Sequence, residues 1–165
     1  MTGSVFIMAA GIMRAGRRVL QAAVLVLATF LFLIPLVPSP ARAASMSPMQ
    51  REQSAYSWAL TQAGKPYAWG GTGPYGYDCS GIVFAAYLRA GVTLPRSTYD
   101  MINSGRLVRT WQPAAGDLAF FGSGHVEFVT RGHNRTYGAL HAGTVLGVHP
   151  WSGWWHPTAF FRLRY

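Results

Sequence analysis

The order of patterns along this chain predicts an α+β domain in which N-terminal helices pack against a C-terminal antiparallel β-sheet. Two observations carry that expectation: apolar residues at helical spacing between Met49 and Leu88, and short apolar runs punctuated by turn residues after Leu118. A third is that no internal repeat or linker interrupts residues 44–165, which therefore read as one domain.

Each element has its own signal. Between Met49 and Ala63, the residues Ala55, Tyr56, Trp58, Ala59 and Leu60 suit one face of a helix that Gly64 and Pro66 stop. Residues 66–77 hold Gly70, Gly71, Gly73, Pro74 and Gly76, a loop whose backbone can approach other groups closely. Ile82, Val83, Ala85, Ala86, Tyr87 and Leu88 then run to Gly91 as a second helix, with Cys79 at its N-terminus. Leu94-Pro95-Arg96-Ser97 opens a short helical piece through Ile102, and Pro113 to Gly116 reads as a turn before a strand over Leu118–Phe121. Gly122 to Gly124 lead into a strand over His125–Thr130, and the polar turn Arg131 to Arg135 leads to its hairpin partner over Tyr137–His141. Val145–Val148 and Ala159–Leu163 are the remaining predicted strands.

Composition narrows the functional classes. The 165 residues are 12% charged and 14% aromatic, enough apolar surface for a packed core and unlike a disordered chain. The formal charge of +9 includes Arg14, Arg17, Arg18 and Arg42, so residues 44–165 carry ten basic and five acidic side chains, a balance of +5. That favours anionic surroundings, but no Lys/Arg-rich run or nucleic-acid module is present, and nucleic acid is not an expected partner.

The nearly all-apolar segment Val19 to Val37 follows Arg14, Arg17 and Arg18 and ends in Pro38-Ser39-Pro40 and Ala41-Arg42-Ala43. This is the layout of a secretory signal peptide over residues 1–43 with cleavage after Ala43; the alternative is an uncleaved membrane anchor. Either reading exports the domain and confines membrane contact to the N-terminal segment. The Arg17-Arg18 pair is followed by Val19-Leu20-Gln21, a poor match to twin-arginine export.

Cys79 is the one cysteine, so in an exported domain it is buried and inert, paired with another chain, or chemically used. A thiol reacts as thiolate, and a helix N-terminus or neighbouring imidazolium lowers its pKa from about 8.5 to roughly 3.5–7.5. His125, after a glycine turn at the start of a strand, is the best placed of the five histidines to supply that imidazole. His141, at the end of the predicted partner strand, could stand beside it and fix its tautomer. On spacing alone this arrangement competes with an inert Cys79 and scattered structural histidines.

The motifs bear on that choice. Gly64-Lys65-Pro66-Tyr67-Ala68-Trp69-Gly70-Gly71-Thr72-Gly73, followed by Gly76-Tyr77-Asp78-Cys79-Ser80-Gly81, closely resembles the NlpC-type family of cell-wall cysteine peptidases. Leu94-Pro95-Arg96-Ser97, Ala115-Gly116-Asp117-Leu118-Ala119-Phe120-Phe121 and Gly124-His125-Val126 resemble its later motifs in the same order. The resemblance covers about residue 50 to the C-terminus and implies a papain-like fold. It implies Cys79 as nucleophile, His125 as proton shuttle and His141 as the group orienting His125. It also implies a site lined by Tyr67 and Trp69, with Asp78 and Ser80 holding the free amino end of the substrate. That substrate is the peptidoglycan stem peptide, commonly cut between D-glutamate and the diamino acid through an acyl-enzyme, with no metal or other cofactor. A monomer is expected.

Three departures accompany the resemblance. Glu127 stands where many relatives carry a small or aliphatic residue; a solvent-facing strand position is expected, with a charge near the base as the alternative. The longer turn Arg131 to Arg135 makes His149 a rival to His141 as the third residue. Trp151-Ser152-Gly153-Trp154-Trp155-His156-Pro157 is expected to cover the sheet edge and complete the core, although such aromatics could stack on sugars. His133 and His156 are expected to be structural. The competing functions are an amidase, an exported antibacterial toxin, and a catalytically silent wall-binding module. A zinc site from Cys79, His125 and His141 lacks ligand spacing and would consume the nucleophile.

Overall fold

The structure is a computed structural model describing residues 46–132 and 134–164; the predicted signal segment and His133 lie outside these residues. Helix α1 (Pro48–Leu60) begins at a reciprocal cap. Ser47 Oγ accepts the Gln50 N–H at 3.3 Å, Gln50 Oε1 accepts the Ser47 N–H at 2.8 Å, and Pro48 occupies the first turn, where no N–H is missed. Helix α2 (Cys79–Arg89) is capped by Asp78, and the short α3 (Thr98–Asn103) by Ser97.

The strands β1 (Leu107–Thr110), β2 (Leu118–Phe121), β3 (His125–Val129), β4 (Arg135–Gly138), β5 (Gly147–Pro150) and β6 (Ala159–Leu163) form one antiparallel sheet ordered β1-β6-β2-β3-β4-β5. Helices thus precede the sheet, as the order of sequence patterns predicts. Strand β1 has no counterpart in the sequence reading, because only Leu107 of its four residues is buried and an edge strand leaves no apolar run. Strand β4 covers Arg135–Gly138 rather than Tyr137–His141. Asn134 turns the chain at φ +57°, and Thr130 N–H bonds the Arg135 carbonyl at 3.3 Å, so pairing starts immediately after the turn. The following strand moves with it, to Gly147–Pro150.

Alternation along β2 and β3 divides the apolar residues between two faces. Leu118, Phe120, Val126 and Phe128 join Ala55, Tyr56, Ile82, Val83 and Tyr87 in the core beneath the helices. At roughly 1.5–3 kcal/mol for each large side chain buried, this cluster is the main stabilising term. Ala119, Phe121 and Val129 face the other way and are covered by Trp151, Trp155 and Phe160. The C-terminal aromatics therefore complete a second, smaller core, as expected of Trp151 and Trp155, whereas Trp154 is 89% exposed. Both faces of the central strands are buried, and β3 is buried along its whole length.

Candidate active site

The first turn of α2 is built by Asp78. Its Oδ1 accepts the Gly81 N–H at 2.6 Å, and its Oδ2 accepts the Gly70 N–H at 2.8 Å and the Arg96 guanidinium at 2.6 Å. Ser80 Oγ accepts a second Arg96 N–H at 2.8 Å and donates to Asp78 at 3.4 Å. A Cβ on Gly81 would lie 1.9 Å from the Gly71 carbonyl oxygen, so only glycine lets the glycine-rich loop rest on this turn. Loop, helix start and Arg96 are thereby locked around a partly exposed Cys79.

Burial pushes the Cys79 thiol up, as does the Asp78 charge. A hydrogen bond and the positive charge of His125, with a hydrogen bond to the backbone of Val126, outweigh both and leave it below the ordinary thiol value. For His125, burial would lower the imidazole, but hydrogen bonding and charge from Cys79 and Glu127 raise it to about 9. The two shifts favour the same state, a thiolate beside an imidazolium. Phe121 packs edge-on to the His125 ring with centroids 5.5 Å apart, and Trp155 lies 5.4 Å away on its other contact. These rings shield the imidazole from water.

Glu127 is fully buried rather than solvent-facing, because Trp151 and Trp155 cover the sheet face that alternation assigns to it. Its Oε1 stands 3.4 Å from His125 Nε2, and its Oε2 accepts a short hydrogen bond from the Thr136 hydroxyl. No contact joins His141 to His125 among the described residues. His141 sits on the exposed loop after β4 with Nδ1 2.8 Å from the Ala142 carbonyl, and the register pairing Phe128 with Tyr137 brings Gly138, not His141, beside Glu127. His149 pairs with Thr136 across β4 and β5, its Nε2 3.2 Å from the Gly138 carbonyl. His156 closes a turn through a 2.7 Å contact with the Gly153 carbonyl, consistent with its structural reading.

A cleft of about 480 Å³ opens on the thiol, walled by Trp69, Asp78, Ser80, Arg96 and Tyr99. Trp69 is 90% exposed there. Tyr67 lies close enough that burial, together with the charges of Cys79 and Asp78, raises its phenol above the ordinary value. Asp78 and Ser80 line the cleft, but the four lone-pair sites of the Asp78 carboxylate already take Gly70, Arg96, Gly81 and Ser80. Their hydrogen bonds hold the site together. Arg96 and Tyr99 have no role in the sequence-based expectations; Arg96 is visible there only as part of the Leu94-Pro95-Arg96-Ser97 motif.

Residues 64–142 match the NlpC/P60 family. The chain is 45% identical over 116 residues to the bifunctional muramidase/DL-endopeptidase CwlT of Bacillus subtilis, a match spanning 64% of this chain and 35% of CwlT. It spans between 20% and 55% of the length of the first curated relatives it matches. Among solved structures it resembles the peptidoglycan hydrolase RipB of Mycobacterium tuberculosis, with a TM-score of 0.62 and 26% identity over 99% of this chain and 92% of that one. It also resembles RipD of the same organism, described as a non-catalytic NlpC/p60 domain protein adapted to peptidoglycan binding. There the TM-score is 0.55 and the identity 30%, over 68% of this chain and 96% of that one. Helices followed by a six-stranded antiparallel sheet make this the papain-like fold of these NlpC/P60 structures.

Proposed function

This chain belongs to the NlpC/P60 family, and we propose that it is an exported peptidoglycan hydrolase, a cysteine endopeptidase that cuts stem peptides between D-glutamate and the diamino acid. The observation that carries the reading is the Cys79 thiol, held at the α2 N-terminus beside His125 with its pKa lowered, at the floor of an open cleft.

In this reading the Cys79 thiolate attacks the scissile carbonyl, and the electron pair of the C=O moves to oxygen. The backbone N–H of Cys79, at the positive end of α2, and the Tyr67 hydroxyl offer donors to that oxyanion. Collapse of the intermediate expels the amine, which takes the proton from the His125 imidazolium, and leaves a thioester on Cys79. Neutral His125 then removes a proton from water, hydroxide adds to the thioester, and the departing thiolate is restored beside the imidazolium. No metal or other cofactor enters these steps. Trp69 and Tyr99 flank the cleft as apolar walls for the stem peptide, and the Asp78–Arg96–Ser80 cluster keeps the wall rigid. The segment over residues 1–43 serves as the export signal, and the domain acts as a monomer.

Digestion of purified wall followed by mass spectrometry of the muropeptides tests the reaction. New amino groups on the diamino acid are expected. Release of the whole stem peptide from the glycan would identify an amidase instead. The likeness to RipD favours one second reading, a wall-binding module without catalysis. That reading predicts wall pelleting unaffected by alkylation of Cys79 and no new muropeptides.

A further inference from the structure

We propose that Glu127 is the positioning residue for His125, a carboxylate carried two residues along the same strand and given room by Gly138 on the neighbouring one. The inference rests on the reading of Cys79 and His125 as a thiolate–imidazolium pair.

Four observations lead to it. First, strand alternation puts His125 and Glu127 on one face of β3, with Nε2 and Oε1 3.4 Å apart. Second, Glu127 is fully buried, and removing a carboxylate from water costs several kcal/mol unless a partner compensates. Apart from this 3.4 Å approach, neither Oε1 nor Nε2 has a hydrogen-bond partner among the described residues, so each is the other's complement. Third, the opposite oxygen is fixed by the Thr136 hydroxyl, which leaves the carboxylate one orientation. Fourth, a Cβ on Gly138 would lie 2.8 Å from Glu127 Cγ, 3.0 Å from Oε1 and 3.1 Å from Cδ. A side chain on β4 would therefore evict the carboxylate from its place under the imidazole.

The consequence is electrostatic and geometric. With Nε2–H directed at Glu127, the other ring nitrogen, Nδ1, faces Cys79, and the imidazolium has an anion on each side. The titratable groups that face the ring are Cys79 from α2 and Glu127 from β3; β2 contributes Phe121, and the C-terminal stretch contributes Trp155. Because those aromatics exclude water, the Glu127 charge acts on the imidazole with little screening.

The test is the rate of Cys79 alkylation by iodoacetamide as a function of pH, in the wild-type protein and in Glu127→Gln. Glutamine keeps the shape and the Thr136 contact but lacks the charge. The expected result is a wild-type midpoint below the ordinary thiol value and a midpoint at least about one pH unit higher in the variant, a tenfold change in the ionisation equilibrium. An unchanged midpoint in a folded Glu127→Gln protein overturns the inference. A wild-type midpoint near 8.5 removes the underlying thiolate–imidazolium reading, and this inference with it. A second measurement leaves Glu127 in place: NMR titration of the His125 ring in Cys79→Ser. A ring pKa that stays above about 6.5 without the thiolate supports Glu127 as the partner, and a fall to that value or below overturns it.

Discussion

At Cys79 two opposing effects meet. Burial disfavours the thiolate, and the imidazolium of His125 favours it more strongly. The reactive state needs Cys79 deprotonated and His125 protonated, so kcat/KM for a stem peptide should follow a bell-shaped pH profile. The acid limb should rise below the ordinary thiol range, and the alkaline limb should fall through about pH 9 as His125 loses its proton. A profile still rising beyond pH 10 would place no imidazolium in the reaction. Arg96 acts on the same turn at one remove. Arg96→Met breaks the 2.6 Å pair with the buried Asp78 and should lower stability by about 1–3 kcal/mol, read as a lower midpoint in urea.

The elements carry their own predictions. Gly81→Ala forces a Cβ toward the Gly71 carbonyl at 1.9 Å. The glycine-rich loop must then lift from α2, and thiol alkylation should slow together with a fall in melting temperature. Far from the site, Glu52 ties α1 to β6 by accepting the Leu163 N–H at 2.6 Å, and burial raises its carboxyl to about 7. A carboxyl whose folded value lies above its unfolded one stabilises fully only below the unfolded value, about 4.5, and that contribution disappears as pH rises through about 7. Wild-type stability should therefore decline between pH 4.5 and pH 7 by on the order of 3 kcal/mol, and Glu52→Gln should flatten that slope in denaturant titrations. An equal slope in the variant would assign the decline to other groups.

Across the whole molecule, what could be read from sequence depended on whether a signal was local. The glycine loop, the start of α2 and the central strands are spelled by neighbouring residues, and the structure has them. Strand β1 was invisible because an edge strand with one buried residue has no apolar period. The surroundings of His125 are less legible for a different reason. The hairpin expected from the sequence starts its second strand at Tyr137, two residues later than β4 does, and a solvent-facing Glu127 is expected because nothing local says that Trp151 and Trp155 fold back over that face. One signal was present: Gly138 inside a strand facing β3 marks a place where a neighbour comes close.

The proposed role of Cys79 as nucleophile is tested most directly by release of amino groups from purified peptidoglycan, with wild type compared with Cys79→Ala at matched folding and thermal stability. The expected result is a loss of at least about 10³-fold in the variant. Undiminished release by a folded Cys79→Ala protein would contradict the mechanism.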